Sequence, residues 1–105
     1  MKSQPKIIEF EWDKGNITKN KKHKVENSEA EEVFRDKESI ILDDRKHTTV
    51  KEERYIILGL SRKKRKLSVI FTERKSKIRI ISCRDMSMYE RRLYEEKGTK
   101  DDSKI

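Results

Sequence analysis

The segment that decides the fold is RYIILGLSRKKRKLSVIFTERKSKIRIISCR, residues 54–84. It consists of short apolar runs separated by two polar segments, SRKKRK at 61–66 and RKSK at 74–77. Because each polar segment has room only for a tight turn, the runs predict successive antiparallel strands that form a meander. The predicted strands are 39–43, 54–60, 66–73 and 77–84, with a polar loop at 44–53 between the first two.

Further elements are predicted on the N-terminal side of this meander. The apolar run at 6–12 predicts a first strand, and two helices are predicted at 14–23 and 28–36. The second helix begins with Ser28 and Glu31, which have the spacing of a capping box. In that motif, each side chain bonds the backbone N–H of the other residue.

A last helix is predicted after the meander. Ser87 and Glu90 repeat the capping-box spacing and predict a helix at 88–97 that ends at Gly98, followed by a flexible tail at 99–105. The predicted order is therefore β-α-α-β-β-β-β-α. This is an α+β fold in which helices cover an antiparallel sheet.

The chain is small and strongly basic. Its 105 residues are enough for a single domain, predicted at 1–98. The 28 Lys and Arg against 20 Asp and Glu give a formal net charge of +8. Such an excess favours a polyanionic partner, either nucleic acid or an acidic protein, but does not by itself indicate catalysis.

Neither a cofactor nor a membrane partner is predicted. His23, His47 and Cys83 are too widely spaced for a zinc-ligand motif, and the three glycines are isolated from one another. Cys83, the single cysteine, is predicted to be a buried thiol in a reducing compartment. With no run of about 20 apolar residues and no signal sequence, a cytoplasmic protein is expected.

Arg79 and Arg84 interrupt and end the last predicted strand. Strict alternation puts Ile78, Ile80 and Arg84 on one face, which is predicted to be the core face. Arg79 and Cys83 then lie on the opposite face. Arg79 then either forms a structural ion pair or presents its planar guanidinium to a phosphate. Arg84 lies beside the predicted start of the last helix, where anions often bind.

Other polar residues have two readings each. The SRKKRK turn carries five positive charges, which either form a solvated turn or contact phosphates without regard to sequence. Glu53 and Arg54 form an ion pair or supply a base and a phosphate anchor.

On the last helix, Tyr89 and Leu93 are predicted to be core residues. Tyr94, about 100° further round, is placed to reach a bound nucleotide.

Seven segments in order carry a resemblance to a known family. They are FEWD (10–13), Asn20 with KH (22–23), EAEEVF (29–34), DDRKH (43–47), EERYIILG (52–59), VIFTER (69–74) and IRIISCRDMSMYERRLYEE (78–96). On these segments the chain resembles the BrnT family of type II toxins, ribonucleases of bacterial and archaeal toxin–antitoxin modules with a RelE-like fold. Lys24 departs from the family, which usually has glycine after the Lys-His pair.

The resemblance implies an activity and partners. It implies an endoribonuclease that needs no metal or other cofactor and that arrests translation by cleaving RNA. It also implies neutralisation by a BrnA-type antitoxin with a ribbon-helix-helix DNA-binding domain, in a complex that represses its own operon. Two alternatives are a non-enzymatic nucleic-acid-binding module and a protein-interacting module that binds an acidic partner.

The resemblance also implies roles for particular side chains. Arginines on the sheet and near the last helix would contact the scissile phosphate: Arg79 and Arg84 as stabilisers, with Arg54 and Arg74 as further anchors. Acid–base or orienting roles would fall to Glu53, Glu73, His47 and Tyr94. RNA binding would further involve Arg62, Lys63, Lys64, Arg65 and Lys66.

Overall fold

The computed structural model describes residues 8–103, with side chains for residues 8–96. Within this range, four strands form one antiparallel sheet in the order β1-β2-β3-β4. Their bounds are β1 Ile40–Asp43, β2 Tyr55–Leu60, β3 Lys66–Arg74 and β4 Lys77–Asp85. The predicted meander is therefore confirmed, with every strand end within one residue of its predicted position. No helix of the described part is long and apolar enough to cross a membrane.

The described residues also form two α-helices, α1 at Asn27–Glu32 and α2 at Met88–Ser103. The predicted helix 28–36 is α-helical only in its first part, because a 3-10 turn over Val33–Arg35 completes it. Its predicted capping box is wrong, since no side chain caps α1. The Glu31 carboxylate instead accepts a hydrogen bond from Trp12 Nε1 at 2.7 Å. The capping box does not form because the Glu31 side chain that it requires is bonded to Trp12.

The predicted strand at 6–12 is wrong for its described part, and residues 6 and 7 lie outside the described residues. Residues 8–12 form a single parallel bridge between Phe10 and Ile78. Two backbone hydrogen bonds of 2.8 Å hold it, from Glu11 N to Ile78 O and from Ile78 N to Glu9 O. The segment therefore lies along the edge of β4 without becoming a fifth strand.

The predicted helix at 14–23 is also wrong. The chain forms turns and then a 3-10 helix at Lys19–His23. Asn16 accounts for much of this difference: its side chain accepts from Asp13 N and donates to the carbonyls of Glu11 and Ile80. Asparagine side chains that bond the backbone in this way compete with a regular helix.

Lys24 closes this 3-10 helix with a left-handed backbone, φ 59° and ψ 39°. This conformation costs an L-residue with a side chain about 1 kcal/mol or more, whereas glycine adopts it freely. The family that the chain resembles usually has glycine at this position. Lys24 therefore keeps the turn but carries strain that glycine would not.

Helix α2 differs from its prediction at the far end. It runs past Gly98 to Ser103, so the predicted end at Gly98 is wrong, and residues 104–105 of the predicted tail lie outside the described residues. At its start the predicted capping box is confirmed by hydrogen bonds in both directions between Ser87 and Glu90. Tyr89 is 67% exposed, so its predicted place in the core is also wrong.

A β-bulge corrects the predicted faces of β4. The pairing register shifts between Ile70 and Phe71 of β3, so that Ile80 pairs with Phe71 while Cys83 pairs with Val69. Paired residues share a face, and an extra residue in one strand reverses the alternation beyond it. Cys83 therefore joins Ile80 in the core.

The same bulge places Arg79 and Arg84 on one face, opposite the core. Arg79 pairs with Thr72 and Arg84 with Ser68, and these two β3 residues share a face. The prediction of opposite faces for the two arginines is wrong.

The core lies between one face of the sheet and the segment that carries α1. Its most deeply buried side chains, at 0–1% exposure, are Ala30, Val33, Leu67, Val69, Ile80 and Cys83. The ring of Phe34 packs edge-on against the rings of Phe10 and Phe71, with 5.3 and 5.0 Å between ring centroids. Cys83 is a free, buried cysteine, so the predicted buried thiol is confirmed, and burial raises its pKa to about 12.

Candidate functional site

Three arginines are connected through carboxylates at the end of the sheet where β2 begins and β3 ends. We call Arg54, Arg74 and Arg79 the arginine row. Arg79 is the most buried, with its side chain 12% exposed. Its guanidinium donates two hydrogen bonds of 2.9 Å to Asp13, and Glu11 lies 3.4 Å away. The hydrogen bonds from Arg79 lower the pKa of Asp13 below its usual value.

Arg74 and Arg54 meet at a shared acid. Arg54 Nε donates to Glu52 at 2.9 Å, and Arg74 Nη2 lies 3.5 Å from the other oxygen of the same carboxylate. Arg74 also lies 3.8 Å from Glu11, which connects it to Arg79. The hydrogen bond from Arg54 is the largest cause of the lowered pKa of Glu52. Arg74 is half-exposed and held only by long contacts, so it is the member of the row that a new anion can most easily engage.

Arg84 lies on the same face as Arg79 but is held separately. It donates to both oxygens of Glu90, at 2.8 and 3.1 Å, and Glu90 also accepts from Ser68. Burial tends to raise the pKa of Glu90, but the bonds from Arg84 and the Ser87 backbone outweigh burial and lower it. The β3 partners of the two arginines are four residues apart, roughly 13 Å along the strand. The two guanidinium groups are held by different acids, Asp13 for Arg79 and Glu90 for Arg84.

The loop between β1 and β2 contains an imidazole–carboxylate pair. His47 Nδ1 lies 2.9 and 3.1 Å from the two oxygens of Asp44, which is 6% exposed, whereas the His47 side chain is 49% exposed. Because a carboxylate accepts, this contact assigns the proton of neutral His47 to Nδ1 and leaves Nε2 as the acceptor. The backbone N–H of Asp44 donates to Arg54 O at 2.9 Å, so the loop that carries the pair is joined to the backbone of the arginine row at Arg54.

Glu53 and Tyr55 lie together between two clefts. The Tyr55 hydroxyl donates to Glu53 at 3.1 Å, and this bond is the main cause of the raised pKa of Tyr55. Both side chains line a cleft with Arg54 and a second cleft with Glu73 and Arg74. This end of the sheet therefore combines fixed cations with groups that can exchange protons.

Tyr94 lies apart from these residues. Its hydroxyl donates to Asp36 at 2.7 Å, and burial and this bond raise its pKa. Asp36 also accepts from Leu60 N, at the end of β2 opposite the arginine row. Tyr94 therefore ties α2 to that end of the sheet.

The side chains of the basic turn, residues 61–66, differ in whether they have partners within the fold. Arg65 pairs with Asp85 at 2.8 Å and donates to the backbone carbonyls of His23 and Lys24, and Lys66 pairs with Glu95. These two predicted RNA-binding side chains are engaged within the fold. Within residues 8–96, the other three, Arg62, Lys63 and Lys64, are exposed and form no ion pair.

Residues 8–96 contain no group of three or more His, Cys, Asp or Glu side chains close enough together to hold a metal ion. The charged centre of this surface is made of guanidinium groups instead.

Sequence reasoning did not single out the acids that organise this surface. Glu52 connects two arginines, and Asp44 orients His47. The (i, i+3) spacing of Asp44 and His47 within DDRKH was a usable signal, because a turn brings such positions together. For Glu52 no comparable signal existed, since its second partner, Arg74, is 22 residues away.

Fold and surface together define a class of protein. A small α+β domain with a net charge of +8 presents an arginine row and an oriented imidazole at one end of its sheet, which suits action on a nucleic acid. The sequence model of the BrnT family, described as the ribonuclease toxin, BrnT, of type II toxin–antitoxin systems, matches residues 12–90.

This match spans about three quarters of the chain and includes the arginine row, His47 and Arg84. The chain belongs to the BrnT family of ribonuclease toxins, whose systems pair a toxin with a protein antitoxin and have RNA as the target. A comparison with curated proteins found no match.

Proposed function

We propose that this chain is a metal-independent, RelE-like endoribonuclease that arrests translation by cleaving RNA in the cytoplasm. Membership of a ribonuclease toxin family supports the reaction class. The observation that carries the proposal is the oriented Asp44–His47 pair, whose loop is joined by a backbone hydrogen bond to Arg54 of the arginine row.

The arginine row supplies the positive charge in this proposal. Attack of the 2′-oxygen on phosphorus concentrates negative charge on the two non-bridging oxygens, and fixed cations stabilise that charge. Arg74 is the leading candidate because its contacts of 3.5 and 3.8 Å are long, so that a phosphate competes readily with Glu52 and Glu11. Arg54 and Arg79 hold the carboxylates on either side and provide further donors.

His47 is proposed as the general base. Asp44 holds Nδ1, so Nε2 accepts the proton of the 2′-hydroxyl while its oxygen forms the new bond to phosphorus. The bond from phosphorus to the 5′-oxygen breaks, and that oxygen takes the hydroxyl proton of Tyr55, which Glu53 orients. Solvent then returns a proton to Tyr55 and removes one from His47. The products are a 2′,3′-cyclic phosphate and a 5′-hydroxyl, so atoms and charges balance without a metal. Glu73, which lines the cleft with Arg74, is a second candidate proton donor.

Arg84 is assigned to a neighbouring phosphate. It lies on the same face as Arg79, roughly 13 Å further along the strand, and this spacing suits a different nucleotide. Its bidentate contact with Glu90 keeps the guanidinium in one orientation.

The partner is proposed to be a BrnA-type antitoxin with a ribbon-helix-helix domain, which binds operator DNA as part of the complex. The family supports a protein antitoxin in general. Co-expression tests the finer statement: a ribbon-helix-helix protein encoded next to the toxin should co-purify with it and abolish its growth arrest. Continued arrest in the presence of that protein would exclude it as the antitoxin.

The catalytic proposal is tested with His47→Gln, compared with His23→Gln as a matched control. In the presence of a chelator, the parent should cleave RNA and leave 2′,3′-cyclic phosphate ends. His47→Gln should reduce cleavage by about 10²- to 10³-fold and remove the acid limb of the pH–rate profile, because the base is removed. His23→Gln should leave both unchanged.

Two results would contradict this assignment. Loss of cleavage in chelator would show that a metal ion takes part. A folded His47→Gln variant with the parental pH–rate profile would show that another group is the base.

A further inference from the structure

A second cationic surface lies at the other end of β2 from the arginine row. A groove there is lined by side chains from two segments far apart in sequence, with the apolar Leu60 among them. Its four cations are Arg35 and Lys37, which follow α1, and Arg62 and Lys64 of the β2–β3 turn, with Lys63 between the last two. We call these five residues the basic groove.

The carboxylates of this groove are used inside the fold. Glu32 accepts a hydrogen bond of 2.9 Å from Arg62 N. Asp36 accepts from Leu60 N at 2.8 Å and from the Tyr94 hydroxyl at 2.7 Å. Within residues 8–96, no cation of the basic groove forms an ion pair, and all five are exposed. The five cations outnumber the two carboxylates that line the groove, so the groove keeps an excess of positive charge.

The turn that presents these cations is held firmly. Ser61 N donates to Arg65 O at 3.0 Å, and Lys64 N donates to Ser61 O at 2.9 Å. The Ser61 hydroxyl donates to the buried Glu29 at 3.0 Å, and Arg65 is tied to Asp85. Because the backbone of the turn is fixed, little order has to be gained when the groove binds an anion.

We propose that the basic groove binds the RNA backbone several nucleotides away from the cleavage site. This inference rests on the proposed function and adds a second binding surface to it. Arg54 and Leu60 are six residues apart, so the groove lies roughly 20 Å from the arginine row along β2. A dinucleotide cannot reach both surfaces. About ten nucleotides, at about 3.4 Å of stacked rise each, are long enough.

Regularly spaced phosphates suit this surface better than an acidic protein does. The cations come from exposed side chains spread along an open groove around an apolar residue. Such a surface provides affinity that depends on salt and not on base sequence. It therefore explains how a small domain holds a long RNA while the arginine row contacts one phosphate.

The test compares two fourfold variants of the full chain. The groove variant carries Lys37→Gln, Arg62→Gln, Lys63→Gln and Lys64→Asn. The control carries Lys19→Gln, Lys21→Gln, Lys22→Gln and Lys24→Asn, which remove equal charge outside the groove. Lys64 and Lys24 both have left-handed backbones, φ 69° and 59°, and asparagine tolerates this conformation. Thermal unfolding checks that both variants fold.

Binding is measured by fluorescence anisotropy with a nuclease-resistant 2′-O-methyl oligonucleotide of about twelve nucleotides over a range of salt concentrations. Each phosphate that the protein no longer neutralises should reduce the log–log salt slope by about 0.7. The groove variant should therefore show a slope smaller by roughly 2 to 3 and an affinity at least about tenfold weaker at moderate salt. The control should stay within about twofold of the parent. Because the oligonucleotide is not cleaved, the result does not depend on catalysis.

Two results would overturn the proposal. Equally weakened binding in both variants would show that net charge alone governs binding. Parental binding by the groove variant would exclude the groove as an RNA surface. If that variant also failed to associate with the antitoxin, the groove would be an antitoxin surface. Failed cleavage by the parent, with groove-dependent binding intact, would refute the proposed catalysis but not the groove.

Discussion

The arginine row and the basic groove lie at opposite ends of β2. Both are made of positively charged side chains, but they differ in whether those side chains are in ion pairs. Every arginine of the row is held by a carboxylate, with contacts between 2.9 and 3.8 Å. Within residues 8–96, no side chain of the groove is in an ion pair. Charges that must stabilise one developing charge need fixed positions, whereas charges that hold a mobile polyanion need only be close. The two surfaces therefore differ more in the ion pairing of their cations than in the number of cations.

The largest expected effect is on kcat, and it distinguishes residues of the arginine row from residues of the basic groove. Arg74→Ala should reduce kcat by about 10²- to 10³-fold at saturating RNA, because a donor to the transition state is removed. Lys63→Ala should leave kcat unchanged and raise KM about two- to threefold, since it removes one phosphate contact. Steady-state cleavage of a long RNA measures both. Reduced kcat in Lys63→Ala, with Arg74→Ala fully active, would reverse the roles of the two surfaces.

The next comparison concerns stability. Arg84→Ala leaves the mostly buried Glu90 without its bidentate partner and should lower the free energy of unfolding by about 2 kcal/mol. Arg62→Ala, at an exposed and unpaired position, should change it by less than about 0.5 kcal/mol. Urea unfolding measures both values. Equal stabilities of the two variants would show that the Arg84–Glu90 pair contributes nothing to the fold.

Acid should weaken the paired carboxylates and leave the groove cations charged. The pKa values of Glu52, Asp85 and Glu90 are lowered in the folded protein. Their contribution is therefore present above their unfolded pKa values, near 3.8 for Asp and 4.5 for Glu, and is lost as the pH falls through the lower folded values.

The melting temperature should accordingly be nearly flat from about pH 7 to pH 5 and fall steeply below about pH 4. Glu90→Gln should show a shallower fall than the parent, because one of these groups is removed. A melting temperature independent of pH down to about pH 2 would contradict the ion pairs described for these acids.

The smallest expected effect concerns the left-handed turn at Lys24. Lys24→Gly should stabilise the protein by about 0.5 to 1 kcal/mol, because glycine adopts the observed φ of 59° without strain. Lys22→Gly, within the neighbouring 3-10 helix, is the matched control and should destabilise by a similar amount. Chemical unfolding of the three proteins measures both effects. A Lys24→Gly variant less stable than the parent would show that the lysine side chain contributes more than the strain costs.

Much of the fold could be predicted from local pattern. The apolar runs and tight turns of residues 54–84 predicted the meander because strand pairing across short turns depends on neighbours in sequence. The Ser87–Glu90 capping box was predictable for the same reason. The Ser28–Glu31 box failed because Trp12, far from it in sequence, takes the Glu31 carboxylate.

The candidate site could be predicted only as a set of residues. Arg54, Arg74, Arg79 and His47 were identifiable by residue type and resemblance, but their arrangement depends on contacts across as many as 68 positions. The bulge beside Ile70 decided that Arg79 and Arg84 share a face, and no alternation pattern reveals a bulge. The sequence by itself determined the four strands of the sheet, the net charge and the family. Only the tertiary structure decided which cations are paired, because ion pairs form between side chains that folding brings together.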